Sequence, residues 1–148
     1  KGKWQLNLAK NYYFCNTLTN AFAQSAQNYT KMKTILVAED NDSNYILMTY
    51  ILRRSYEYKR AENGKEAVDM VNEGGIDLVL MDIEMPVMDG LEATRTIKAD
   101  HPDLPIIALT ANAFDSDRQL ALKAGCNEFL PKPVNAAKCM EVLAKYLS

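Results

Sequence analysis

The chain has 148 residues, 48% apolar and 24% charged, which is enough apolar material for the core of one domain and argues against disorder through its body. Its 17 basic and 19 acidic side chains leave a net charge of −2 with no basic block, which disfavours a direct reader of nucleic acid. Cys15, Cys126 and Cys139 lack the spacing of a zinc site or disulfide frame, no apolar run approaches the ~20 residues of a bilayer span, and the start KGKWQLNLAK has no secretion core, so a cytoplasmic protein without a membrane segment is expected.

Residues 1–31 stand apart from the pattern that follows. Phe14, Leu18, Ala21 and Ser25 fall on one side of a helix and KWQLNL alternates like a short strand, so this extension is expected to be helical or poorly ordered. From Lys33 onward, short apolar runs alternate with segments of helical period. TILVA (34–38) predicts a buried strand, and Leu47, Met48, Ile51 and Leu52 mark the face of a helix after it. A weak strand around Tyr56 to Arg60 belongs at a sheet edge. Ala67, Val68 and Val71 give the next helical face, LVLM (78–81) the next strand, and Leu91, Thr94 and Ile97 the third helix. IIAL (106–109), a helix through Leu120, Ala121 and Ala124, and the short strand EFL (128–130) continue the alternation. Cys139, Val142, Leu143 and Tyr146 close it with the clearest helical spacing. Asn63-Gly64, Gly74-Gly75, Pro102, Pro105 and Gly125 punctuate the joints.

Five strands alternating with five helices imply a doubly wound α/β domain, a parallel sheet with right-handed crossovers and helices on both faces. Ligands of such sheets bind beyond the carboxyl ends of the strands. The sequence sends its unusual polar residues to that edge: Glu39-Asp40 after the first strand, Asp82 at the end of the third, Thr110 after the fourth and Lys132-Pro133 after the fifth. Three carboxylates brought together repel one another by a few kcal/mol per pair at an effective dielectric of about 20, so they call for a cation. Oxygen donors without His or Cys point to a hard ion, and few protein ligands with open positions suit Mg²⁺ better than Ca²⁺. Thr110 and Lys132 add a hydroxyl and an ammonium able to hold an anion, and a phosphoryl group is the natural one. Asp82, on the central apolar strand, is the candidate nucleophile.

Four stretches, AED (38–40), LVLMDIEMPVMDG (78–90), IIALTANA (106–113) and FLPKP (129–133), together resemble the receiver domain of two-component response regulators, over about Met32 to Ser148. The resemblance implies a flavodoxin-like receiver fold with strand order 2-1-3-4-5 over 32–148. It implies that Asp82 is the phosphoacceptor and that Glu39, Asp40, Asp82 and the backbone carbonyl of Glu84 hold Mg²⁺, with Mn²⁺ as a substitute. It further assigns Thr110 and Lys132 to the phosphoryl oxygens, a cis bond to Pro133, and Phe129 to the place of an aromatic switch. Glu84 and Asn112 flank the pocket where phosphoryl lifetime is tuned. The implied donor is a histidine kinase or a histidine phosphotransfer protein, and the implied output is a changed surface on the fourth helix, fifth strand and fifth helix, with a phosphorylation-linked dimer among the outcomes allowed. EDN-x-x-N from Glu39 to Asn44, MDGLEATR and ALTANA look most like receivers of hybrid sensor histidine kinases. The resemblance leaves a stand-alone receiver and a receiver cut from a hybrid kinase both open.

A receiver of this kind is a phosphoacceptor that assists its own chemistry and is not an enzyme of steady turnover. The rival is an aspartyl-nucleophile phosphatase or phosphotransferase on a similar sheet. It would want a second aspartate two positions after the nucleophile, where this chain has Glu84, and a cap segment that this length does not supply. A flavin or nucleotide binder is disfavoured by the acidic first loop EDNDSN, which repels phosphate unless a metal intervenes. His101, the single histidine, lies in the loop ADHPDLP and reads as a solvated loop residue; Tyr45, Tyr50, Tyr56, Tyr58, Met81, Met85 and Met88 read as packing.

Overall fold

The computed structural model describes residues 31–112 and 115–148. The expectation for the extension, all but Lys31, together with Cys15 and with Ala113 of the ALTANA stretch, lies outside the described residues.

Met32–Ser148 forms a compact unit. Its elements run β1 (Thr34–Ala38), α1 (Asp42–Leu52), β2 (Glu57–Ala61), α2 (Gly64–Glu73), β3 (Leu78–Asp82), α3 (Gly90–Asp100), β4 (Ile106–Thr110), α4 (Asp115–Ala124), β5 (Glu128–Pro131) and α5 (Ala136–Leu147). The strands make one sheet in the order β2-β1-β3-β4-β5, every pairing parallel. The weak strand does form, as an outer strand, with alternating exposure along EYKRA.

The alternation of side chains along each strand divides the core in two. Ile35, Val37, Leu78, Leu80, Ile107 and Leu109 face Met48 and Leu52 of α1 and Cys139, Val142 and Leu143 of α5. Leu36, Ala38, Val79, Met81, Ile106 and Ala108 face Ala67, Val68 and Val71 of α2, Ala93 and Ile97 of α3, and Ala121 of α4. β1, β3 and β4 are buried throughout, which is why they read as continuous apolar runs.

Three side chains depart from the expected inner faces. Leu47 is 39% exposed because α1 packs along Met48 and Leu52, turning Leu47 to the rim. Leu120 is 51% exposed because α4 approaches the sheet through the small residues Ala121 and Ala124. Tyr50, expected to pack, is 60% exposed, its ring covered by the Arg53 guanidinium at 4.6 Å. Tyr56 and Tyr58 do pack against the α1–α5 core.

Register carries the polar residues to one edge. Ala38 pairs with Met81, Asp82 with Leu109 and Thr110 with Pro131, so Glu39, Asp82, Thr110 and Lys132 leave the sheet on neighbouring rungs. Helices start there at once because an Asn or Asp caps them: Asn41, Asn63, Asp89 and Asn135 each accept the backbone N–H three residues on.

Candidate phosphoacceptor site

The strand ends place three carboxylates, from Glu39, Asp40 and Asp82, with one oxygen of each within 4.8 Å of the others. Glu39 and Asp82 are 1% and 3% exposed, while Asp40 faces solvent. Lys132, following β5, reaches across the edge: its Nζ lies 2.8 Å from Glu39 Oε2 and 3.0 Å from Asp82 Oδ2. The Lys132–Pro133 peptide bond is cis. Asp82 Oδ1 accepts the backbone N–H of Glu84 at 3.1 Å, so both carboxylate oxygens are engaged from opposite sides.

Burial is the largest influence on Asp82 and lifts its carboxyl to about 6; the Lys132 ammonium holds that rise back and the Glu39 charge adds to it. For Lys132, burial works against the ammonium, but the two close carboxylates outweigh it and hold the group above the ordinary lysine value. Three carboxylates against one ammonium still leave the cluster short of positive charge. Glu39 Oε2, although close to Lys132 Nζ, has no donor aligned to hydrogen-bond it among the described residues. A buried carboxylate oxygen left over, within an all-oxygen donor set, fits a hard divalent cation.

The loop after β3 is pinned over this cluster by two close approaches. Gly64 and Gly90 both sit where a Cβ would collide with backbone, at the Met88 carbonyl and the Asp82 carbonyl respectively, and their N–H groups donate to Met88 O at 3.0 Å and Ile83 O at 2.9 Å. At the crest of this loop Val87 has φ 68° and is 85% exposed, with Met88 N–H donating to Pro86 O at 2.8 Å. That is a γ-turn with positive φ, a strained conformation for a β-branched residue.

The remaining candidates share the edge without touching the cluster. Thr110 is buried, and its hydroxyl donates to Asn112 O at 2.9 Å and accepts Asn112 N–H at 3.1 Å, so it is engaged by its own loop. Asn112 and the Glu84 residue are exposed. Phe129 is half-buried on β5, on the α2–α4 side of the sheet, with Arg118 of α4 stacked 5.1 Å from its ring centroid. His101 caps α3 and its Nε2 meets Asn72 Oδ1 of α2 at 2.9 Å, far from a free loop position. Sequence reasoning did not single out Arg60, which grips the backbone of the acidic loop from behind. The available signal was a long cation on the partly buried side of an edge strand, one residue before the end of β2.

Residues 35–144 match the family model of the response regulator receiver domain. The chain belongs to the receiver domain family. The polar-differentiation response regulator DivK of Brucella anthropi is 36% identical over 118 residues, covering 78% of this chain and 96% of DivK. Among solved structures, the receiver domain of a sensor histidine kinase from Pseudomonas aeruginosa PAO1, with magnesium coordinated in its active site cleft, is similar at TM-score 0.74 and 38% identity, covering 78% of this chain and 98% of that one. The receiver domain of Ssk1, solved together with the histidine phosphotransfer signaling protein Ypd1 of Saccharomyces cerevisiae, is similar at TM-score 0.74 and 34% identity over 78% of this chain and 88% of the matched chain. This receiver domain therefore works in two-component signalling, and its fold is the flavodoxin-like one with strand order 2-1-3-4-5. No helix of the described residues is long and apolar enough to cross a membrane.

Proposed function

We propose that this receiver domain, over residues 32–148, accepts a phosphoryl group on Asp82 from a phosphohistidine of a histidine kinase or histidine phosphotransfer protein. The observation that carries the reading is the convergence of the Glu39, Asp40 and Asp82 carboxylates within 4.8 Å, bridged by Lys132 at 2.8 and 3.0 Å. Mg²⁺, or Mn²⁺ in its place, would be held by the carboxylates of Glu39, Asp40 and Asp82 with the Glu84 carbonyl, and would supply neutralisation of charge on the transferring oxygens.

This chain's own residues do the rest. Asp82, with its carboxyl near 6, is mostly ionised at neutral pH and one of its oxygens attacks phosphorus. The P–N bond of the phosphohistidine breaks and the imidazole leaves with the electron pair. Lys132 then exchanges its contact with Asp82 for a phosphoryl oxygen, a role supported by its Nζ lying 3.0 Å from Asp82 Oδ2. Thr110 gives up Asn112 and turns its hydroxyl to a second oxygen, drawing the β4–α4 loop inward. Phe129 then leaves its place under Arg118 and turns inward, and the α4, β5 and α5 surface changes for a downstream protein or for a second phosphorylated copy. Glu84 and Asn112, exposed at the mouth, tune how readily water attacks the acyl phosphate.

Incubation with a small-molecule phosphodonor and Mg²⁺ should give one stoichiometric adduct on Asp82, located by mass spectrometry, and none in Asp82→Asn. An adduct elsewhere, or steady phosphomonoester turnover as expected of the aspartyl-phosphatase alternative, rejects the reading. The decay of that adduct in Glu84→Ala and Asn112→Ala tests the tuning role, which unchanged rates would exclude.

A further inference from the structure

The acidic loop between β1 and α1 must present Glu39 and Asp40 in a fixed direction, yet it is short and crowded with like charge. Arg60, on β2, lies behind it with its side chain 20% exposed. Its Nε donates to Glu39 O at 3.1 Å and its Nη2 to Asp40 O at 3.2 Å, so one guanidinium holds two successive peptide carbonyls. Nη2 also pairs with Asp42 Oδ1 at 2.8 Å and Nη1 with Glu62 Oε1 at 3.5 Å, and the group stacks on Tyr45 at 4.6 Å.

The second of those carbonyls matters most. Asp40 C=O and Asn41 N–H belong to one planar peptide unit. Its oxygen is held by Arg60, and its N–H donates to Glu39 Oε1 at 3.1 Å. A rigid plane gripped at one end therefore fixes the Glu39 carboxylate at the other, leaving Oε2 to face Lys132 and the metal position. The ion pairs to Asp42 and Glu62 cannot explain why Arg60 is here, since those carboxylates are 81% and 65% exposed and such pairs contribute little. A lysine would carry the charge without the fork that reaches both carbonyls.

We propose that Arg60 is a positioning residue for divalent-cation binding, acting through the Asp40–Asn41 peptide to pre-set Glu39 and Asp40. This rests on the proposed Mg²⁺-dependent phosphoacceptor site. Loss of the clamp lowers the fraction of molecules whose loop is ready, which weakens apparent affinity by that fraction without altering the loaded site.

The test is titration calorimetry of Mg²⁺ into the full chain, with the phosphodonor labelling rate measured at saturating Mg²⁺. Arg60→Met should raise the Mg²⁺ dissociation constant about ten-fold, within the range seen when groups that orient metal ligands are removed. Arg60→Lys should fall between it and the wild type, Asp42→Asn should stay within about two-fold, and the labelling rate at saturation should be unchanged in all three. Arg60→Met binding as the wild type does, or Asp42→Asn weakening binding as much, overturns the role of Arg60 alone. If Arg60→Met does not fold, Arg60→Gln carries the same expectation. A wild type that binds no Mg²⁺ overturns the phosphoacceptor reading itself.

Discussion

On the β1–β3 side of the edge, the buried Glu39 and Asp82 are already ion-paired with Lys132, whereas on the β4 side Thr110 uses its hydroxyl on Asn112 and Phe129 lies under Arg118. The first side is assembled in advance. The second must break local bonds before it can contribute. The difference teaches where binding and signalling would part under the proposed function: the preformed acid-and-ammonium half would recognise the ligand, and the half with its own satisfied partners would convert that event into a change of shape.

The comparison can be broken most severely at Lys132. Lys132→Met leaves Glu39 and Asp82 buried without compensation and should cost about 3 to 5 kcal/mol of stability in urea unfolding. Saturating Mg²⁺ should recover part of that loss, and no recovery would mean the acids do not share a cation.

A smaller effect follows from the Asp82 carboxyl at about 6, above its ordinary 3.8. A raised carboxyl means that the folded state holds the proton more tightly than the unfolded chain. The associated stability is full below pH 3.8 and disappears as pH rises through about 6, amounting to roughly 3 kcal/mol at most. Metal-free wild type minus Asp82→Asn, followed by urea unfolding from pH 4 to 7, should display that decline; a flat difference would contradict the buried environment.

Thr110→Ala sharpens the contrast from the other side. It removes the bonds to Asn112 and should destabilise by about 1 kcal/mol, while Mg²⁺ affinity stays within about two-fold, because the hydroxyl is outside the preformed half. A large loss of Mg²⁺ affinity would merge the two halves. Least of all, Val87→Gly should stabilise by about 1 kcal/mol through relief of the positive-φ turn, read as a modest rise in melting temperature.

Much of this was legible in the chain because the strands that matter are buried on both faces. TILVA and LVLM end where charge begins and IIAL ends on the Thr110 hydroxyl, and parallel register does the gathering that spacing alone suggests. Leu47 and Leu120 misled because a helical stripe read from apolar residues does not reveal which neighbours are small enough to let the helix approach. Ala121 and Ala124 set the α4 contact, and Leu120 was left outside. Arg60 escaped notice because its partners are backbone carbonyls, which carry no signature in a string of side chains. Thr110 was placed at the correct edge, but its bonds to Asn112 depend on loop conformation.

Among the described residues the sheet has two rims, and each is unfriendly to a strange strand. β2 shows Glu57 and Lys59 to water, and β5 is only four residues long and ends in Pro131, which has no amide hydrogen to offer. Charge on one margin and brevity with proline on the other disfavour pairing of either margin with a strand of a neighbouring molecule.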